Sequence, residues 1–169
     1  MQFLSLLLAA ALAGASIPAV SAEIRFGSLQ VDWPEGFSAP SAAPPFELTG
    51  PAGEKVLVTV MRPGKEMDGD AAAVEQRKMA LVGEEFLRRQ SDKAGKTIVS
   101  LSRTILPNGS LLISTGAATT SLFSPGYFVQ YLLVSPAGRL GFFTIEGKGD
   151  PAEIYAKFLP VVSTATWLP

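Results

Sequence analysis

The chain has 169 residues, 14 basic and 15 acidic, for a net charge of −1. That length fits one domain, and so even a charge balance favours neither nucleic acid nor an anionic membrane surface as a partner. There is no cysteine and no histidine, which excludes disulfides, thiol catalysis and an acylated lipoprotein cysteine, and removes the commonest general base and transition-metal ligand.

Residues 3–20 are uncharged and dominated by Leu and Ala, but Gly14 and Pro18 interrupt them. This favours a cleaved signal peptide over an uncleaved membrane anchor. Val20 and Ala22 stand at the two positions a signal peptidase reads, and Glu23 follows. The expected division is therefore a signal peptide over residues 1–22 and a single domain over residues 23–169. The start of the segment departs from the usual pattern, since Met1 and Gln2 bring no Lys or Arg. No later stretch is apolar for the roughly 18 residues a membrane helix needs, so a soluble periplasmic or secreted protein without a span is expected after signal removal.

Residues 23–26 and 29–33 form short strand-like runs joined at Gly27 and Ser28 and ended by Pro34, which cannot donate to a ladder. Residues 34–45 hold four prolines and read as an irregular surface loop with Phe37 as its one large apolar side chain. Residues 46–49 and 55–61 flank Gly50, Pro51, Ala52 and Gly53, where proline presets the turn and glycine closes it into a hairpin. Val56, Val58 and Val60 then alternate onto one face, the expected core side.

Asp70 is placed to cap a helix starting at Ala71, with Ala72, Met79, Val82 and Phe86 on one side and Gly95 as the stop. Opposite that stripe, Glu84 with Arg88 and Glu85 with Arg89 form i,i+4 pairs on an expected solvated face. Residues 97–105 and 110–116 are β-rich and flank Asn108 and Gly109, a strong hairpin signal. Val99, Leu101 and Ile105 are expected to share a face. Residues 127–134 and 139–146 make the last hairpin, and the first of these runs is apolar on both sides, as a central strand would be. Finally Asp150, Pro151 and Glu153 spell a capped helix start, Ile154, Phe158, Val161 and Val162 form its stripe, and Trp167 and Leu168 dock the tail. This order gives an α+β domain, an antiparallel sheet of about six to eight strands in a hairpin meander with two packed helices.

Two segments carry a resemblance. Residues 29–37 (LQVDWPEGF) look like an opening strand with a Pro-x-Gly-aromatic turn, and residues 155–163 (YAKFLPVVS) like a closing helix with its Phe and terminal Ser. In these, and in the meander between them, the chain resembles the fold family shared by the photosystem II extrinsic subunit PsbP, a Ran-binding nuclear import factor and bacterial envelope proteins of the DcrB type. The resemblance implies an accessory or binding protein without shared chemistry, and no motif of the family lets a binding residue be carried over.

Local chemistry is sparse. Glu66, Asp68 and Asp70 could offer oxygen ligands to calcium, but counted from Asp68 the calcium-loop pattern fails at Ala72 in position 5 and at Met79 in position 12. No motif joins a serine to Lys96, Lys148 or Lys157, and Gly147, Lys148 and Gly149 lack the rest of a phosphate loop. The expected function is a non-catalytic accessory or protein-interaction module of the bacterial cell envelope, without metal or cofactor. Phe37 and Phe123 are its expected contacts with an envelope protein partner. The alternative is a binder of a small apolar ligand or lipid between sheet and helices, with Phe128, Leu132 and Phe142 around the pocket.

Overall fold

A computed structural model describes residues 21–62, 68–119 and 125–169. The signal segment up to residue 20 therefore lies outside the described residues. Six antiparallel strands form the main sheet in the order β3 (Phe46–Thr49), β4 (Lys55–Met61), β8 (Leu140–Lys148), β7 (Gly126–Val134), β6 (Leu111–Thr119) and β5 (Gly95–Ile105). A smaller sheet joins β1 (Ser21–Phe26), β2 (Leu29–Pro34) and β9 (Thr166–Trp167). Helix α1 (Gly69–Ala94) covers one face of the main sheet, and α2 (Pro151–Ser163) packs with the smaller sheet on the other. This is the α+β meander with two helices read from the sequence. Among the described residues, however, nine strands are divided between two sheets.

Turn chemistry sets the hairpins. Gly53 and Gly138 sit at φ 83° and 80°, a region that costs other residues a steric clash. Each closes a turn by donating its N–H at 3.0 Å to the carbonyl of Gly50 or Ser135. Val56 and Val58 are fully buried on the α2 side of the sheet with Val60 beside them, as the alternation requires. Tyr127 to Val134 lies in the sheet interior, where only Phe128 of that run retains appreciable exposure.

The larger core lies between the main sheet, the smaller sheet and α2. Trp33 is fully buried there, with ring centroids 5.6 Å from Phe37, 5.6 Å from Phe158 and 6.3 Å from Phe143. The α2 start is local in origin, because the Asp150 carboxylate accepts from the Ala152 and Glu153 amides at 2.6 and 3.3 Å and Pro151 fills the first helical position. Such a cap contributes about 1 kcal/mol. Further along α2, Tyr131 Oη donates to the Tyr155 carbonyl at 2.7 Å, and the hydroxyls of Ser102, Ser114 and Tyr155 lie within 3.0 to 3.1 Å of one another. The tail docks as expected: β9 pairs with β2 and the Leu168 amide donates to the Ser28 carbonyl at 2.8 Å.

On the α1 side the structure corrects four expectations. The helix starts at Gly69 with Asp68 as the capping position, so Asp70 lies in the first turn and does not cap it. Its buried face is Ala80, Gly83, Glu84, Leu87 and Ser91, whereas Val82 and Phe86 are 60% and 44% exposed. Small residues won because they let the helix lie closer to the sheet; a Cβ on Gly83 would overlap the Leu132 side chain. Glu84 is consequently buried, and it accepts from Arg88 at 2.9 Å and from Arg103 on β5, with Arg103 Nε at 2.6 Å. Only Glu85 with Arg89, also 2.9 Å apart, remains a solvated pair. Lastly, Val99 and Leu101 do not share a face. Register shifts between Thr97 and Val99 and between Val99 and Ser102 insert a bulge into β5. Val99 thereby packs on the Gly116 side with Val129, Leu101 joins the α1 core, and Ile105 is left 76% exposed.

Candidate functional site

Because α1 lies mainly over β5, β6 and β7, much of one face of β4 and β8 stays open beside it. Strand register arranges that face in rows. Met61 stands opposite Leu140, Thr59 opposite Phe142 and Leu57 opposite Thr144. Lys55 stands opposite Glu146, and on β7 Leu132, Gln130 and Phe128 continue the last three rows. The helix supplies the other wall through Val82, Phe86 and Gln90. The result is an open groove of about 540 Å³, within the usual range of ligand clefts.

Its rim is unusually apolar for a free surface. Met61 is 51% exposed, and Phe86 meets Phe142 edge-on at 5.4 Å. Phe128 and Phe142 therefore line a groove as the ligand-binding expectation requires. Leu132 does not, being fully buried beneath Gly83 as part of the packed core. The groove also lies between the sheet and α1 alone, since α2 packs on the opposite face. At its base Gln130 is 4% exposed, donates to Thr144 Oγ1 at 3.1 Å and leaves its carbonyl oxygen without a partner.

The groove continues past the Lys55 row into a second hollow of about 560 Å³, with Gln90, Phe128 and Glu146 common to both. Here the lining changes to Lys55, Lys93, Thr119, Tyr127 and Gly147. Burial, assisted by the nearby Glu54 carboxylate, pushes the Tyr127 phenol up to about 12, so it stays neutral at physiological pH. Glu54 itself is buried and points away into a structural contact, accepting from Lys157 at 2.7 Å and from the Ala52 amide at 2.9 Å. Burial pushes its carboxyl up, but the Lys157 bond and the backbone amides outweigh that and hold it below the ordinary carboxylate value.

Of the residues singled out as partner contacts, Phe37 is half-buried and packs edge-on against Trp33 and Phe158, at 5.6 and 6.0 Å. It is a core residue, because the proline-rich loop folds back onto the aromatic cluster. Phe123 lies outside the described residues, as do Glu66 and Met67. Among the described residues no three His, Cys, Asp or Glu side chains gather where they could hold a metal ion. Sequence reasoning missed the Lys55 and Lys93 end altogether. Its one available signal was the Val82 and Phe86 pair, apolar residues that the core did not need.

Comparison with known proteins rests on structure. No protein-family model and no curated protein sequence matches the chain. The solution structure of cyanobacterial PsbP (CyanoP) from Synechocystis sp. PCC 6803 superposes with a TM-score of 0.53 at 14% identity, covering 91% of this chain and 96% of that one. The crystal structure of LpqN from Mycobacterium tuberculosis, described as involved in cell envelope biogenesis, gives a TM-score of 0.53 at 14% identity, covering 88% and 86%. At such identities the likeness concerns architecture, and it extends over nearly the whole of each chain. With its antiparallel meander and its two helices on opposite faces, this domain has the PsbP-like fold.

Proposed function

We propose that the protein is an exported, non-catalytic accessory module of the bacterial cell envelope that acts by binding, through the groove between α1 and strands β4, β8 and β7. The observation that carries this reading is the exposure of Met61, Val82 and Phe86 around a concave, largely apolar surface. Contiguous exposed apolar surface of this kind marks interaction sites on soluble domains. The envelope setting is supported by the sequence of residues 1–22 and by the likeness to LpqN, described as involved in cell envelope biogenesis. Among the described residues no helix is long and apolar enough to cross a membrane.

Export is tested by intact mass. Protein recovered from the envelope is expected to begin at Glu23, and recovery of the full-length chain in membranes would overturn the assignment. Cleavage after Ala22 removes the first two pairs of the β1–β2 ladder, Ser21 with Pro34 and Ala22 with Trp33, and leaves the remaining four.

The binding role is tested by in-cell crosslinking of the native protein and a Val82→Ser, Phe86→Ser variant. Val82 and Phe86 are 60% and 44% exposed, so the variant should still fold, with an unfolding midpoint lowered by the loss of the Phe86–Phe142 contact. A specific envelope protein captured by the native chain and lost in the variant would make the groove a protein-docking surface. Turnover of a substrate by the purified protein in an unbiased metabolite screen would sink the non-catalytic reading. A second reading, a small apolar ligand, is favoured by Phe128 and Phe142 in the groove and by its volume. A small molecule retained by the native protein and not by the variant would select it.

A further inference from the structure

We infer that the occupant of this groove is a single-chain amphiphile with an anionic head, its hydrocarbon chain lying along Leu57, Met61, Val82, Phe86 and Phe142 and its head at Lys55 and Lys93. The inference rests on the groove being the binding site, as proposed above, and adds the chemistry of what it binds.

The two hollows form one trough that changes character along its length. From the Met61 row to the Lys55 row the strand advances six residues, or about 20 Å at 3.3 Å per residue. Leu140 and Phe142 wall the Met61 and Thr59 rows, with Phe86 against Phe142, and Thr144 and Gln130 follow in the Leu57 row. At the far end two lysines, Lys55 from β4 and Lys93 from the last turn of α1, line the same hollow. Among the described residues neither lysine lies within ion-pair distance of a carboxylate. Glu146, opposite Lys55 in register, is the one carboxylate lining that end, so two lysines leave one positive charge uncompensated.

An apolar wall ending in an uncompensated cation suits a ligand of matching polarity: a chain that removes apolar surface from water and a head that meets the ammonium groups. A protein segment laid in the trough would set a polar backbone against the apolar rows, and a second copy of this chain carries a net charge of only −1 to offer the lysines. A cationic head is not expected, because it would face two lysines in the same hollow.

The test is titration calorimetry of the protein purified from the envelope with two probes of equal chain length below their micelle-forming concentrations, dodecanoate and dodecyltrimethylammonium. Dodecanoate is expected to bind at least about tenfold more tightly. A Lys55→Gln, Lys93→Gln variant should lose that preference, whereas Lys55→Arg, Lys93→Arg should keep it, with unfolding midpoints confirming that both fold. Phe86→Glu should abolish binding of both probes. Equal affinity for the two probes, or a preference that survives Lys55→Gln, Lys93→Gln, overturns the anionic-head assignment while leaving the groove as the binding site. Binding unchanged in Phe86→Glu places the amphiphile elsewhere and overturns the groove as well. Binding of neither probe overturns the amphiphile, and the crosslinking pattern of the Val82→Ser, Phe86→Ser variant then decides separately whether the groove binds a protein.

Discussion

Replacing Trp33 by alanine is expected to lower the unfolding free energy by about 3–5 kcal/mol, the usual cost of emptying a large aromatic site in a core. Trp33 is fully buried where three parts of the molecule meet: its own strand in the smaller sheet, Phe143 on the main sheet, and Phe158 on α2. Phe26 and Phe37 close the cluster, at 6.1 and 5.6 Å. The cavity cannot collapse easily, since its walls belong to separate elements that would have to move together. One effect works the other way. The Trp33 indole N–H is buried without an acceptor, so alanine also removes an unsatisfied donor that itself costs about 1–3 kcal/mol. Trp33→Phe, which keeps much of the ring volume and drops the N–H, should therefore lose far less than Trp33→Ala. Chemical denaturation of both variants measures the difference. An alanine variant within about 1 kcal/mol of the native protein would contradict a core held together at this residue.

Gly83→Val is expected to destabilise the domain by about 1–3 kcal/mol, as overpacking does. Helix propensity alone argues for the opposite sign, because glycine in a helix interior is about 1 kcal/mol worse than alanine and worse than valine too. The tertiary contact decides. A side chain on Gly83 runs into Leu132, which is fully buried and has no solvent to retreat into. Either Leu132 takes a strained rotamer or α1 lifts from β7. Adding Leu132→Ala makes room, so the double variant should lose less than the sum of the two single losses. Thermal or urea unfolding of the four proteins gives the coupling. A Gly83→Val variant at least as stable as the native protein would show that the helix does not depend on this close approach. The result bears on binding as well, because the depth at which α1 sits sets how far Val82 and Phe86 stand over the rows of β4 and β8.

The sequence alone determined those features whose causes lie within a few residues. The turns at Gly53 and Gly138 follow from proline and glycine chemistry, and the α2 start follows from Asp150 bonding its own next two amides but one. Alternation along β4 was enough to place Val56 and Val58 in the core. Hairpins and helix positions in turn set the α+β class and made the PsbP-like likeness legible in the sequence. Only the tertiary structure decided which face of α1 is buried, because the large apolar stripe and the small-residue seam lie on different sides of the same helix. Closeness of approach favoured Ala80 and Gly83. The same applies to Glu84, whose second arginine comes from β5, and to the β5 bulge, which reverses the facing of Val99 relative to Leu101. The groove is the furthest from the sequence. Lys55 and Lys93 are 38 positions apart in the numbering, and only the β4–β8–β7 register and the depth of α1 bring them to one end of an apolar trough. Local chemistry writes the elements; the pairing of surfaces between them, which depends on atoms far apart in the chain, makes the site.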